Sequence, residues 1–178
     1  MAKPDFPLAI ALQSNLVVEQ GNFKEAAASL TPALAAHPEN AELLNSAGLL
    51  ALAQKDGKSA EADFARSLAL KPDYLDAAVN HAIAVNLLGR HTEAVAEFQK
   101  ALQGDPQNLK AHANLAAAFF ELHRYAEASG AFARAVELSP QDPDLRTNLG
   151  LALEKAGKPE QAKKGLCRSS IAQASAAQ

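Results

Sequence analysis

One spacing constrains this sequence more than any other feature: alanine and proline each recur at intervals of 34 residues. The alanines are Ala26, Ala60, Ala94, Ala128 and Ala162, and the prolines are Pro38, Pro72, Pro106 and Pro140. A fixed period of this size indicates one supersecondary unit repeated in tandem. Such a unit cannot bury its own apolar face, so the copies must stack on one another. The sequence therefore predicts a solenoid, an architecture whose extended surface mainly binds other proteins.

Each copy is predicted to contain two amphipathic helices. The second helix carries Ala and Phe four residues apart, as at Ala60 and Phe64, which places both side chains on one buried stripe. Each recurring proline ends this helix, because proline cannot continue the backbone hydrogen-bond ladder. Glycines between the two helices, such as Gly21, Gly57 and Gly89, suit a left-handed residue at the end of the first helix.

The turns and helix starts carry further signals. His123 and Arg124 stand where other copies have glycine, so the turn of the fourth copy must tolerate a side chain. Asp73, Asn108 and Asp142 precede the next first helix, where they are predicted to act as N-caps.

The run from Asn114 to Ala128, NLAAAFFELHRYAEA, resembles a tetratricopeptide repeat. The resemblance covers residues 7–169 and implies an all-α, right-handed superhelical solenoid built from antiparallel helix pairs. Its repeats are 7–40, 41–74, 75–108, 109–142 and 143–169, preceded by an N-terminal lead of residues 1–6 and followed by a frayed or capping tail of residues 170–178. The aromatic residue often found early in the first helix is replaced by Ile10, Leu44, Ala78, His112 and Arg146.

The resemblance implies that the first helix of each pair lines a concave groove. Asn80, Asn114 and Asn148 share the 34-residue step, and Ser46 continues their series toward the N-terminus. An amide offers both a donor and an acceptor, which matches the N–H and C=O groups of an extended peptide backbone. A similar asparagine ladder marks the repeats of O-linked N-acetylglucosamine transferases, where it holds peptide substrates. By this resemblance the ladder is the first candidate for ligand contact.

Neighbouring residues on the same helix faces extend this candidate peptide-binding site. They are Asn45, Leu49, Ile83, Asn86, Phe120 and Leu151. The apolar members form a candidate floor for ligand side chains, although they also fit self-association or scattered surface residues. The asparagines also fit a structural role, since many polar side chains bond a neighbouring helix or water.

Composition and charge argue against several other classes. With 17 basic and 20 acidic residues and a formal net charge of -3, the chain lacks the basic stripe of a nucleic-acid-binding protein. No apolar run reaches the roughly 18 residues of a membrane-spanning helix, and the apolar N-terminal stretch is too short for a signal peptide. We therefore expect no membrane span and a cytoplasmic location. The single Cys167 cannot form an intramolecular disulfide.

No group of residues predicts catalysis, a cofactor or a metal site. His81 and His112 lie on consecutive first helices, but no cysteine or paired carboxylate completes a structural metal site. Gly57, Lys58 and Ser59 resemble the end of a phosphate-binding loop, yet the earlier glycine and the preceding strand are missing. We predict neither catalytic residues nor metal ligands nor a cofactor.

The sequence thus predicts a non-catalytic scaffold that binds an extended peptide or a partner helix in its concave groove. Two alternatives stay open. The chain could be the substrate-recruiting segment of a larger or associated transferase of the glycosyltransferase or sulfotransferase type. It could instead be a structural unit that self-associates through its C-terminal end, where Lys155, Lys158 and Arg168 are part of a basic segment.

Overall fold

The computed structural model describes residues 6–162. Every regular element in this range is an α-helix, and nine helices are complete within it. They are α1 (Pro7–Glu19), α2 (Phe23–Ala36), α3 (Ala41–Ala53), α4 (Gly57–Leu70), α5 (Leu75–Leu87), α6 (His91–Gly104), α7 (Leu109–Glu121), α8 (Tyr125–Leu138) and α9 (Pro143–Lys155). Residues 159–162 are also helical. The predicted all-α repeat fold is confirmed.

The recurring prolines fix where the second helix of each repeat ends. Helices α2, α4, α6 and α8 all end two residues before a proline of the 34-residue series. A residue that precedes proline is pushed out of the α region by the proline ring. Ser139, which precedes Pro140, has φ -135° and ψ 78°. The proline periodicity therefore predicted these four helix ends correctly.

By its internal contacts the chain divides into two compact units, residues 1–90 and residues 91–178. In the first unit α1 packs against α2 and α3, and α3 packs against α4 and α5. One apolar cluster joins Ala11, Leu30, Ala33 and Leu43. A second cluster joins Ala51, Ala60, Phe64 and Ala84. Since each cluster joins residues of successive repeats, the stacking of helix pairs creates the core of this unit.

In the second unit consecutive helices also pack against one another. Helix α7 packs against α6 and α8, and α8 packs against α9. The Ala and Phe residues of the second helices are buried: Ala94 and Phe98 in α6, and Ala128 and Phe132 in α8. The predicted Ala–Phe stripe is therefore confirmed in both units.

The turn inside each repeat contains one residue with a positive φ. These residues are Gly21, Lys55, Gly89, His123 and Gly157, and they follow the 34-residue step. His123, at φ 57°, confirms that the turn of the fourth repeat holds a side chain in this conformation. The prediction for Gly57 is wrong, because Gly57 is the first residue of α4 and Lys55 takes the left-handed position.

Side-chain caps begin most of the first helices. Asn108 and Asp142 accept hydrogen bonds from backbone N–H groups of α7 and α9, as predicted. Asn40 caps α3 in the same way. The predicted cap at Asp73 is wrong, because Tyr74 occupies the N-cap position of α5 and makes no side-chain cap.

Some predictions fall outside the described residues. These are the structure of residues 1–5 in the N-terminal lead, of residues 163–169 in the last repeat and of the tail at 170–178. The predicted self-association through the C-terminal end falls partly in this region, as does Cys167.

Candidate functional site

In the first unit the side chains of the asparagine ladder, Ser46 and Asn80, are buried. Asn80 is only 4% exposed, and its Nδ2 donates a hydrogen bond of 2.9 Å to Oδ1 of Asn45, which is 3% exposed. Ser46 is 1% exposed, and its Oγ donates to the carbonyl oxygen of Ala11 at 3.3 Å. These bonds to a neighbouring helix agree with the structural role that the sequence left open for such side chains. Their contact with a ligand stays a prediction.

The burial follows from the stacking of successive first helices. Asn45 lies 35 residues before Asn80, and Ala11 lies 35 residues before Ser46. In α3 and α5 the ladder side chain thus meets the preceding first helix, one residue before the position equivalent to its own. The sequence did contain this signal, since an amide at Asn45 is a suitable partner for the amide of Asn80.

In the second unit the ladder position is more open. Asn114 is half-buried, and its Nδ2 donates a hydrogen bond of 2.8 Å to the carbonyl oxygen of Lys110, one turn earlier in α7. Asn148 is exposed. The residue 35 positions before Asn148 is Ala113, whose methyl group has no acceptor to offer. The same residue type therefore meets a different environment at each step of the ladder.

A pocket of about 190 Å³ adjoins Asn148. Its lining comes from α7, α8 and α9, and consists of Ala117, Phe120, Glu121, Phe132, Asn148 and Leu151. Three of the residues predicted from sequence, Phe120, Asn148 and Leu151, therefore meet in one place. The pocket combines an apolar wall with one amide and one carboxylate.

Phe132 also lines the pocket, although it belongs to the Ala–Phe stripe of the second helices, which the sequence predicts to be buried. It is largely buried, and it continues the same Phe series as Phe64 and Phe98, which are fully buried. Nothing in that series distinguishes Phe132, so its place in the pocket wall could not be predicted from the periodicity.

Aromatic contacts hold Phe120 at the edge of the pocket. Its ring lies edge-on to Tyr125, with the ring centroids 5.1 Å apart and the planes at 69°. The Tyr125 hydroxyl and Nδ1 of His123 are joined by a hydrogen bond of 2.8 Å. Aromatic rings favour this edge-to-face arrangement, because the positive edge of one ring meets the negative face of the other. The turn between α7 and α8 therefore supports one wall of the pocket.

In the first unit the predicted apolar floor takes part in packing. Leu49 is half-buried and contacts the cluster around Ala60 and Phe64. Ile83 and Asn86 are also half-buried. Each of these side chains keeps some exposed surface, but none of them is as open as Asn148 or Leu151.

Residues suited to other chemistry do not gather in the described range. No group of three or more His, Cys, Asp or Glu side chains within residues 6–162 could hold a metal ion. Gly57, Lys58 and Ser59 lie at the start of α4, directly after the turn that follows α3, and not in a strand–loop–helix arrangement. Within the same range no helix has the length and apolarity to span a bilayer.

Family models of tetratricopeptide repeats match the chain along most of its length. One model, described as a tetratricopeptide repeat, matches residues 12–74 and 58–109, which together span more than half of the chain. A second model of the same description matches residues 86–135. A third, described as a TPR repeat, matches residues 118–157. None of the curated protein sequences matches the chain.

Solved structures of MamA resemble the chain in fold. MamA AMB-1 is 19% identical, with 93% of this chain and 90% of that chain covered at a TM-score of 0.69. A crystal structure of MamA is 18% identical, with 92% and 96% covered at a TM-score of 0.77. The MamA RS-1 ArsTM double mutant is 16% identical, with 98% of both chains covered at a TM-score of 0.79. At these identities the likeness concerns the fold alone.

Proposed function

Because the chain belongs to the tetratricopeptide-repeat family, we propose that it is a non-catalytic interaction scaffold whose second unit binds an extended peptide. The observation that carries this proposal is the open amide of Asn148 beside the apolar wall of Phe120, Phe132 and Leu151. The amide can pair with the N–H and C=O groups of a peptide backbone. The wall can take an apolar side chain of the same peptide.

The size of the pocket favours an extended peptide over a partner helix. Its volume of about 190 Å³ is smaller than the roughly 300–1,000 Å³ typical of pockets that enclose a whole small molecule. It therefore fits a single anchoring side chain. An extended chain presents every second side chain to the same face and leaves its backbone groups free to meet the amides. In a helix those backbone groups are already bonded within the helix.

The carboxylate of Glu121 gives the ligand a preferred charge. Glu121 is exposed and lines the same pocket as Leu151. A cationic side chain next to the anchoring residue would gain a favourable interaction with it, and the interaction would weaken as salt screens it. The proposed ligand is therefore a peptide with an aliphatic residue flanked by Lys or Arg.

Asn114 can contribute a second backbone contact. Its bond to the Lys110 carbonyl uses one N–H of the amide. An asparagine amide has two N–H donors and a carbonyl acceptor, so capacity remains for a ligand. Asn114 and Asn148 together would fix the direction of the peptide. Contact of the same ligand with Ser46, Asn80 or their neighbours in the first unit is not required by this proposal.

A peptide-display selection against the full chain tests the proposal. We expect the selected sequences to share an aliphatic residue beside Lys or Arg. Isothermal titration of one selected peptide should then show that the double change Asn114→Ala and Asn148→Ala weakens binding by about 1–3 kcal/mol, since two hydrogen bonds are lost. Leu151→Asp should abolish binding, because it places a charge in the apolar wall.

Asn22→Ala is the matched control for the amide changes. Asn22 is exposed in the turn before α2 and makes no side-chain cap, so its removal should leave the affinity unchanged. Equal binding by the double variant and the unchanged protein would contradict the role of the amides. Selection of peptides without an aliphatic anchor would contradict the role of the pocket.

The two other functions predicted from the sequence, recruitment for a transferase and self-association through the C-terminal end, stay predictions. No contact in the described residues favours either one over peptide binding.

A further inference from the structure

The first helix carries an apolar stripe that its own chain leaves exposed. Leu8, Leu12 and Leu16 follow one another at steps of four residues and are 58%, 57% and 59% exposed. This spacing places the three side chains on one face of α1. We call this face the α1 leucine stripe. Phe6, directly before α1, is also exposed.

The equivalent face of the next first helix is covered by the preceding helix pair. One repeat after Leu12 stands Ser46, which is buried and bonds the carbonyl of Ala11 in α1. One repeat after Leu16 stands Leu50, which packs against the apolar cluster that contains Ala11 and residues of α2. In α3 this face is therefore an interface with α1 and α2.

The equivalent positions of α5 are also covered by the preceding helix pair. Asn80 and Ala84 stand one further repeat along from Ser46 and Leu50, and both are buried. Their helix packs against α3 and α4. The positions of Leu12 and Leu16 are thus contact positions in both later first helices of this unit, and in α1 no described residue covers these two leucines.

The residue types on α1 differ from those on the later helices. Where α1 has Leu8, α3 and α5 have the acids Glu42 and Asp76. Where α1 has Leu12, they have the polar Ser46 and Asn80. A leucine in place of a charge or an amide at these positions suits an apolar partner and not water.

We propose that the α1 leucine stripe is the interface of a homodimer, in which the α1 helices of two copies pack antiparallel about a two-fold axis at Leu12. Leu8 and Leu16 lie four residues to either side of Leu12, so the stripe is symmetric about its centre. In an antiparallel pair Leu12 meets its own copy, and Leu8 meets Leu16 of the partner subunit. A two-fold interface requires this kind of self-complementary patch.

The charge of α1 also favours a second copy as the partner. Among residues 7–19 only Glu19 is charged, and it lies at the C-terminal end of the helix. Two such helices can therefore approach without like charges near the axis, which would otherwise oppose pairing. A partner that recognised this face through charge would find nothing on it to bind.

Sedimentation velocity of the full chain at increasing concentration tests the proposal. We expect a monomer–dimer equilibrium in the unchanged protein. Leu12→Glu should raise the dimer dissociation constant at least about 100-fold, because it places two like charges on the axis. Leu70→Glu is the control, since Leu70 is an exposed leucine at the end of α4 and outside the stripe. Circular dichroism should show unchanged helicity in both variants.

Charge exchange tests the proposed antiparallel pairing itself. A mixture of the Leu12→Glu and Leu12→Lys proteins should form a heterodimer, although each alone is monomeric. A chain with both Leu8→Lys and Leu16→Glu should dimerise more tightly than a chain with both Leu8→Glu and Leu16→Glu. A protein that stays monomeric at every soluble concentration, or a dimer that survives Leu12→Glu, would overturn the proposal. So would a mixture in which no heterodimer forms.

Discussion

Lys55 holds a backbone conformation that suits glycine. Its φ is 62°, and the equivalent positions in the first, third and fifth repeats are Gly21, Gly89 and Gly157. A side chain in this region costs about 1 kcal/mol or more, because Cβ approaches the following carbonyl. We expect Lys55→Gly to raise the free energy of unfolding by about 0.5–1 kcal/mol, as measured by urea denaturation.

Gly89→Ala is the opposite change at an equivalent turn. No atom lies within 4 Å of a Cβ added at Gly89, so the only cost is the positive φ of 79°. We expect Gly89→Ala to lower the free energy of unfolding by about 1 kcal/mol. If Lys55→Gly and Gly89→Ala changed the free energy of unfolding in the same direction, the positive φ could not be the cause.

Gly48 permits a close contact between α3 and α4. A Cβ added there would lie 2.6 Å from Cε1 of Phe64, whose ring is fully buried. Gly48→Ala should therefore destabilise the chain by roughly 1–3 kcal/mol, the usual cost of overpacking a core. The measurement is again the urea midpoint, with the slope as a check on compactness.

Gly130→Ala is the matched control for Gly48→Ala. Gly130 lies inside α8, is exposed, and has no atom within 4 Å of an added Cβ. Alanine should raise stability there by about 0.8–1 kcal/mol, through helix propensity alone. Loss of stability in the control would mean that the effect at Gly48 is not one of packing.

At the scale of the helix, Asp56 caps the start of α4. Its carboxylate accepts hydrogen bonds from the backbone N–H and the hydroxyl of Ser59, at 3.1 and 2.6 Å. The hydroxyl bond is the main reason why the pKa of Asp56 lies below its usual value. The ionised form is therefore favoured in the folded state.

This pKa shift predicts how the stability depends on pH. The contribution of the Asp56 carboxylate is complete well above the unfolded pKa of about 3.9, and it is lost as the pH falls through the lower folded pKa. We expect Asp56→Asn to lower Tm at pH 7 and to have little effect at the acid end of the range. Ser59→Ala should reduce the same pH dependence, because it removes the hydroxyl donor. An Asp56→Asn difference that does not change with pH would contradict this explanation.

The helix boundaries show what the 34-residue period could predict. The prolines located the ends of α2, α4, α6 and α8, because proline acts on the backbone directly and needs no neighbour. The predictions for Gly57 and Asp73 were wrong because each residue has a suitable type but stands beside the position that the repeat selects. Gly57 lies two residues after the left-handed position, and Asp73 lies one residue before the N-cap. The register itself, taken from Gly21 and Gly89, points to Lys55.

The ladder shows the limit of the same approach. Its spacing placed Asn80, Asn114 and Asn148 at equivalent positions, but their exposure depends on other helices. Asn80 finds the amide of Asn45 on α3, whereas the residue at the corresponding distance from Asn148 is Ala113. A periodic pattern gives the position of a side chain within its own repeat, and its burial follows from the side chains of the preceding repeat.

For the whole molecule, the two proposed surfaces belong to different units of the chain. The α1 leucine stripe lies in residues 1–90, and the pocket beside Asn148 lies in residues 91–178. Substitutions at sites that share no partners usually have additive effects. Leu12→Glu should therefore abolish dimerisation and leave peptide affinity unchanged, while Leu151→Asp should do the reverse.

Salt should separate the two interactions further. The stripe is apolar and α1 has only one charged residue, so raising the salt concentration should not weaken the dimer. The proposed peptide-binding pocket includes the carboxylate of Glu121, so the affinity of the chain for a cationic peptide should fall as salt rises, and Glu121→Gln should remove most of that salt dependence. Sedimentation velocity and fluorescence anisotropy at two salt concentrations measure both effects on one sample. If Leu12→Glu also lowered the affinity for the peptide, peptide binding would depend on dimerisation. The two surfaces would then have to be treated as one site.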